Sequence, residues 1–196
     1  MPRTNISVAD EVADELSAEA MKRNKTLYAF ANESLTAVIS VCKLSGEPSE
    51  VLSAWKLGRI LKEVDAVPIP GDLTEKLLKK LYETDSDWLL KSWAAEGRRI
   101  GSYLQMGYQD LSSLSRDAVD FQKLLPFKRV EVRSLDDASG RARLLLRIVG
   151  AGLSSESTAC AEQFARGIAE SYLWTVRTVK MAEGILELEL SKERRP

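Results

Sequence analysis

Three polar side chains at the start of the chain, Arg3, Asn5 and Ser7, alternate with Thr4, Ile6 and Val8. In an extended backbone that spacing puts the two sets on opposite faces. One face then carries a guanidinium, a carboxamide and a hydroxyl, groups that form directed hydrogen bonds and do no covalent chemistry by themselves. Bond-making machinery is hard to assemble elsewhere. The 196 residues include no histidine, which removes the usual general base and the commonest metal ligand. The two cysteines, Cys42 and Cys160, lie far apart and read as buried apolar fillers rather than a disulfide. Acidic residues sit at helical spacing from lysines and arginines, as on solvated helix surfaces. No metal, cofactor or catalytic residue is expected, and the chain is not expected to be an enzyme.

Three further groups each allow two readings. Trp55, Trp88, Trp93 and Trp174 could line a pocket for an aromatic ligand or fill a core. Gly150-Ala151-Gly152 ahead of a helix could cradle a phosphate, but the third glycine and the lysine of such loops are missing, so a tight strand-to-helix turn is expected. Arg141, Arg143 and Arg147 alternate along one segment and Arg129 and Arg133 along its neighbour, which describes a solvated face or an anion site.

The elements that must position these residues fall into an α+β arrangement of three regions. Residues 1–46 are expected to form one short strand and two helices. The first helix opens at Asp10, with Val12, Leu16 and Ala20 on its apolar face, and ends at Asn24. The second is capped by Thr26, with Phe30, Leu35, Val38, Ile39 and Cys42 inward. Residues 47–125 form a helical region: a helix capped by Ser49, another from Asp72 after the Pro68–Gly71 break, a third from near Ser86, and a short fourth over 117–125 ended by Pro126. Residues 126–196 change period. Two hairpins, turning at 136–140 and at Glu183-Gly184, flank a helix that starts at Ser154 or Ser155. The expected unit is ββαββ with an antiparallel four-stranded sheet. No run approaches the ~18 apolar residues of a membrane span, and no signal-peptide core is visible, so a cytoplasmic location without membrane contact is expected.

Residues 3–43 resemble the MetJ/Arc/CopG-type ribbon-helix-helix repressors. The resemblance lies in Thr4-Asn-Ile-Ser-Val8, in Glu11-Val12 with Leu16 four residues on, in Asn24-Lys-Thr-Leu-Tyr28, and in Phe30-Ala-Asn-Glu-Ser-Leu35. Asn24 stands where the family usually has glycine. The resemblance covers about a fifth of the chain. It implies an N-terminal ribbon-helix-helix in which the strand pairs with that of a second copy and enters the major groove of double-stranded DNA. Arg3, Asn5 and Ser7 would then contact bases, and Lys25 with the helix start at Thr26 and Leu27 would contact the backbone. A lone strand of this length cannot stand unpaired, which independently favours an intertwined homodimer.

Charge argues for restraint. Residues 1–46 hold five basic groups against six acidic ones, and the whole chain is formally −1, so no broad positive field draws nucleic acid. Three readings follow. The first is a homodimeric, sequence-specific DNA-binding transcription regulator on a pseudo-palindromic site, with residues 47–196 an effector or oligomerisation module for an unidentified small molecule. The second is a structural or interaction protein that uses the N-terminal module only to dimerise. The third is an enzyme in the C-terminal unit.

Overall fold

In the computed structural model, residues 5–44, 46–114, 128–135 and 142–192 are described. The chain divides into two compact units, Met1–Leu52 and Ser53–Pro196.

The first unit is built on two helices, α1 (Asp10–Lys22) and α2 (Leu27–Lys43). Asp10 and Glu11 occupy the first turn of α1, where carboxylates complement the helix dipole. Asn24 takes the left-handed conformation, φ 52°, that turns the chain between the helices. Thr26 caps α2, its Oγ1 accepting the Ala29 N–H at 3.2 Å. The expected N-terminal ribbon is not formed. Residues 5–9 belong to no strand, and the first element is α1. A strand exists only through a ladder to a neighbour, and the sheet's four strands all lie beyond residue 128. The fold class is therefore corrected: a helical N-terminus followed by an α+β unit, with no N-terminal ribbon strand among the described residues. The inward faces also differ from expectation. Ala13, Leu16, Ser17 and Ala20 of α1 and Phe30, Ala31, Ser34 and Val38 of α2 are shielded, whereas Val12, Leu35, Ile39 and Cys42 are exposed.

Next comes α3 (Pro48–Glu63), which begins one residue before Ser49 with proline in the first turn, where its missing N–H costs nothing. Then α4 (Gly71–Leu104) runs for 34 residues, interrupted at Asp85 by a non-helical backbone (φ −156°, ψ 77°). Asp85 restarts the helix: its Oδ1 accepts the Trp88 N–H at 2.9 Å. The expected helix break near Ser86 is this kink. The short helix expected over 117–125 lies outside the described residues.

The rest of the second unit follows the expected ββαββ order. β1 (Arg129–Ser134) and β2 (Ala142–Val149) form one antiparallel pair; β3 (Thr175–Ala182) and β4 (Ile185–Lys192) form another; α5 (Ser155–Ser171) joins them. β2 pairs with β4, giving the order β1-β2-β4-β3. Ser154 starts α5 with a reciprocal cap shared with Ser157.

One sheet face is apolar. Val130, Ile148 and Leu186 form one cross-strand row, and Val132, Leu146 and Leu188 the next. The other face carries Glu131, Arg147, Glu187 and Lys180 in a row of alternating sign across all four strands. Packing α5 against α4 depends on small residues. A Cβ on Gly167 would stand 2.3 Å from the Ala94 carbonyl oxygen, and one on Gly97 would stand 2.2 Å from that of Phe164. Backbone meets backbone at this crossing, and the Arg98–Glu170 pair at 3.0 Å closes its edge.

Candidate functional site

The residues expected to touch DNA are spread along the first unit. Arg3 lies outside the described residues. Asn5 and Ser7 are exposed, in no strand and therefore in no presented row. Lys25 is ion-paired with Glu33, Thr26 is engaged as the cap, and Leu27 opens α2 at 45% exposure. Lys22, at 2.7 Å, and Arg23 both hold Glu19, which brings the Glu19 carboxyl down to about 2. Three of the five basic groups counted in this region are thus occupied by carboxylates.

The glycine turn is not a phosphate cradle. The N–H groups of Gly150 and Ala151 both donate to the Gly184 carbonyl, at 2.7 and 3.1 Å. The Leu153 N–H donates to Glu75 Oε1 at 3.0 Å and to Ser157 Oγ at 3.1 Å. Gly152 holds φ 142°, and a Cβ there would strike Ser157, so the turn is fixed by steric need. On the arginine face, Arg129 and Arg133 pair with Glu131, Arg143 pairs with Glu189, and Arg147 stands in register between Glu131 and Glu187. Arg141 lies outside the described residues.

What the second unit does contain is a half-open cavity of about 570 Å³ between α4, α5 and the apolar sheet face. Val130, Val132, Leu144, Leu146, Ile148 and Leu190 form its floor, and Ala161, Phe164, Ala165 and Ile168 of α5 line it from the helix side. Leu78 and Trp93 come from α4, and Leu111 and Leu114 close one side. Trp93 stands edge-on to Phe164, ring centroids 5.9 Å apart at 80°, a favourable quadrupole arrangement that fixes both rings. Polar groups gather at the glycine turn: Thr74, Glu75 and Ser157. Glu75 reaches across from α4, its Oε2 accepting the Ser154 hydroxyl at 2.8 Å. That carboxylate therefore ties α4 to the start of α5, where the helix dipole favours negative charge.

Sequence reasoning did not foresee this site, because its walls come from segments more than a hundred residues apart. One signal was present. Ala161, Ala165 and Ala169 recur every four residues on α5, and all three line the cavity; small side chains facing large aliphatic ones leave space. Two of the four tryptophans take the expected roles, one each. Trp93 lines the cavity and Trp174 is buried in the core, while Trp55 and Trp88 are 59% and 56% exposed. Cys160 is fully buried, and burial, with the charge of Glu75 adding, pushes its thiol up to about 11; it is an inert filler. Among the described residues, Tyr172 Oη and Trp174 Nε1 are buried without a hydrogen-bond partner, and burial together with Asp110 raises Tyr172 to about 12. Among the described residues, no group of three or more His, Cys, Asp or Glu side chains is placed to hold a metal, and no helix is long and apolar enough to cross a membrane.

No protein-family model and no curated protein matches the chain. A solved structure reported under "Probing the function of heme distortion in the H-NOX family" is similar at a TM-score of 0.44 and 12% identity, over 81% of this chain and 92% of that one.

Proposed function

We propose that the chain is a cytoplasmic, non-enzymatic regulator whose second unit takes up an apolar small-molecule effector in the cavity between α4, α5 and the sheet. The observation that carries this reading is the cavity itself, about 570 Å³ with an almost wholly hydrocarbon wall. Protein interiors are otherwise packed with few voids larger than a water molecule. An open apolar space forfeits dispersion contacts along its wall, and a bound molecule restores them. Small-molecule sites characteristically span about 300–1,000 Å³, apolar with a few polar groups. A histidine-free chain whose buried cysteine is inert supports binding rather than turnover.

Equilibrium titration with Nile red, a neutral dye that brightens in apolar surroundings, tests the proposal. Saturable brightening at one dye per chain, with quenching of tryptophan emission that Trp93→Phe reduces, is the expected result. A dye that stays dim, or brightens without saturating, contradicts it.

A second reading concerns the first unit. Among its described residues Ala20 alone is buried, while Val12, Leu27, Leu35 and Ile39 remain 45–52% exposed. Pairing with a second copy covers such a surface twice over about a two-fold axis. The paired units would then offer matched polar surfaces, with Asn5 and Ser7, to a pseudo-palindromic double-stranded DNA, with no ribbon inserted and with Lys25 available only on release from Glu33. Sedimentation of the chain and of its Leu35→Glu/Ile39→Glu variant tests the pairing: a dimer that the variant dissociates is expected, and a monomeric parent contradicts it. Retention of genomic DNA fragments at fixed low salt tests the contact, and no retention rules it out.

A further inference from the structure

We infer that the cavity's ligand is uncharged and elongated, with a hydrocarbon body and one hydrogen-bonding head seated at the glycine turn; this rests on the ligand-binding reading above. Shape comes first. Leu144, Leu146 and Ile148 line the cavity along β2, and Gly150, one residue past the strand's end, continues the lining. At about 3.3 Å per residue, the strand part of the lining alone extends over roughly 13 Å. That length suits a chain-like molecule better than a compact one.

Polarity is distributed along this axis. At the Gly150 end stand Glu75 and Ser157, drawn together because Glu75 accepts from Leu153 N–H and Ser154 Oγ–H while Ser157 Oγ accepts from the amides of Leu153 and Ser154; Thr74, next to Glu75 in the lining, donates its hydroxyl to the Pro70 carbonyl. At the Leu144 end the lining is Leu190, opposite Leu144, and Val132, opposite Leu146, which offer only carbon; Ser134, the β1 partner of Leu144, is not part of the lining. A ligand therefore has one end at which a polar head can be satisfied.

The sign of charge follows from the same groups. Among the described residues that line the cavity, Glu75 is the one ionisable side chain, and no lysine or arginine is present. A carboxylate has room for about four hydrogen bonds, and Glu75 accepts one protein donor at each oxygen, so it can take a further O–H or N–H from a ligand. An anionic head would meet this negative charge with no cation to offset it, after losing its water. A hydroxyl or neutral amide donor has no such cost.

Competition against bound Nile red at pH 7, using 1-dodecanol and dodecanoate at equal ionic strength and below their aggregation limits, tests the inference. The alcohol is expected to displace the dye with saturation, and the carboxylate to bind at least about tenfold more weakly. Equal or tighter binding of dodecanoate overturns the uncharged class and leaves the cavity reading intact. Nile red retained against both chains overturns the elongated shape. Failure of Nile red itself to bind sinks the underlying ligand-binding proposal instead.

Discussion

Replacing Ala165 with phenylalanine distinguishes a real cavity from a well-packed core by the sign of its effect. Ala165 lies on α5 in the cavity lining. A space of about 150 Å³ accommodates benzene, so one phenyl ring would occupy roughly a quarter of the 570 Å³ present. Burying the ring stabilises by about 1.5–3 kcal/mol. Poorer helix propensity removes about 0.5 kcal/mol, and lost rotamer freedom a comparable amount. The net expectation is a gain of about 1 kcal/mol, which raises Tm by about 2–4 °C in a chain of this size. Urea and thermal denaturation measure it, and Nile red affinity should fall in the same variant. In a filled core the same substitution overpacks and destabilises by about 1–3 kcal/mol. A loss of that size would refute the cavity.

Three other outcomes follow from the packing and charges. Gly167→Ala places a Cβ 2.3 Å from the Ala94 oxygen and 2.8 Å from the Arg98 nitrogen; separating the helices should cost about 1–3 kcal/mol in urea denaturation despite alanine's better propensity, and a stabilised variant would contradict the close crossing. Asp85→Ala removes the cap on the second half of α4 and should cost about 1 kcal/mol, read as a lower urea midpoint with unchanged slope. Glu19 titrates near 2 rather than 4.5 because Lys22 and Arg23 hold it. Its folded value lies below its unfolded one, so its contribution is present above pH 4.5 and lost as pH falls towards 2. An NMR titration of the Glu19 carboxyl checks this, and a midpoint near 4.5 contradicts it.

Much of the second unit was legible because its signals are local. Turn residues at Glu183-Gly184, alternation in β1 and β2, the Ser154 cap and the polar run before Trp88 each act over a few residues, and each marks an element boundary in the fold. The N-terminal ribbon failed for a different reason. Alternation in Thr4–Val8 describes which way side chains would point if the backbone were extended, but supplies no ladder partner, and residues 5–9 have none within the sheet. On α1 the expected face was off by one position, Ala13 rather than Val12, because both lie four residues or fewer from Leu16. The cavity was illegible because its size depends on how far α5 stands from the sheet. Gly97 and Gly101 of α4 and Gly167 of α5 fix how closely those two helices cross, through contacts between residues far apart in sequence, and the Gly150–Gly152 turn fixes where α5 starts.

Methyl NMR during titration with 1-dodecanol tests ligand uptake at its location. Saturable shifts at Val130, Val132, Leu144, Leu146 and Ile148, all in the lining, with exposed Leu35 and Ile39 unmoved, are predicted. Cavity methyls that stay still while exposed methyls respond would contradict the account.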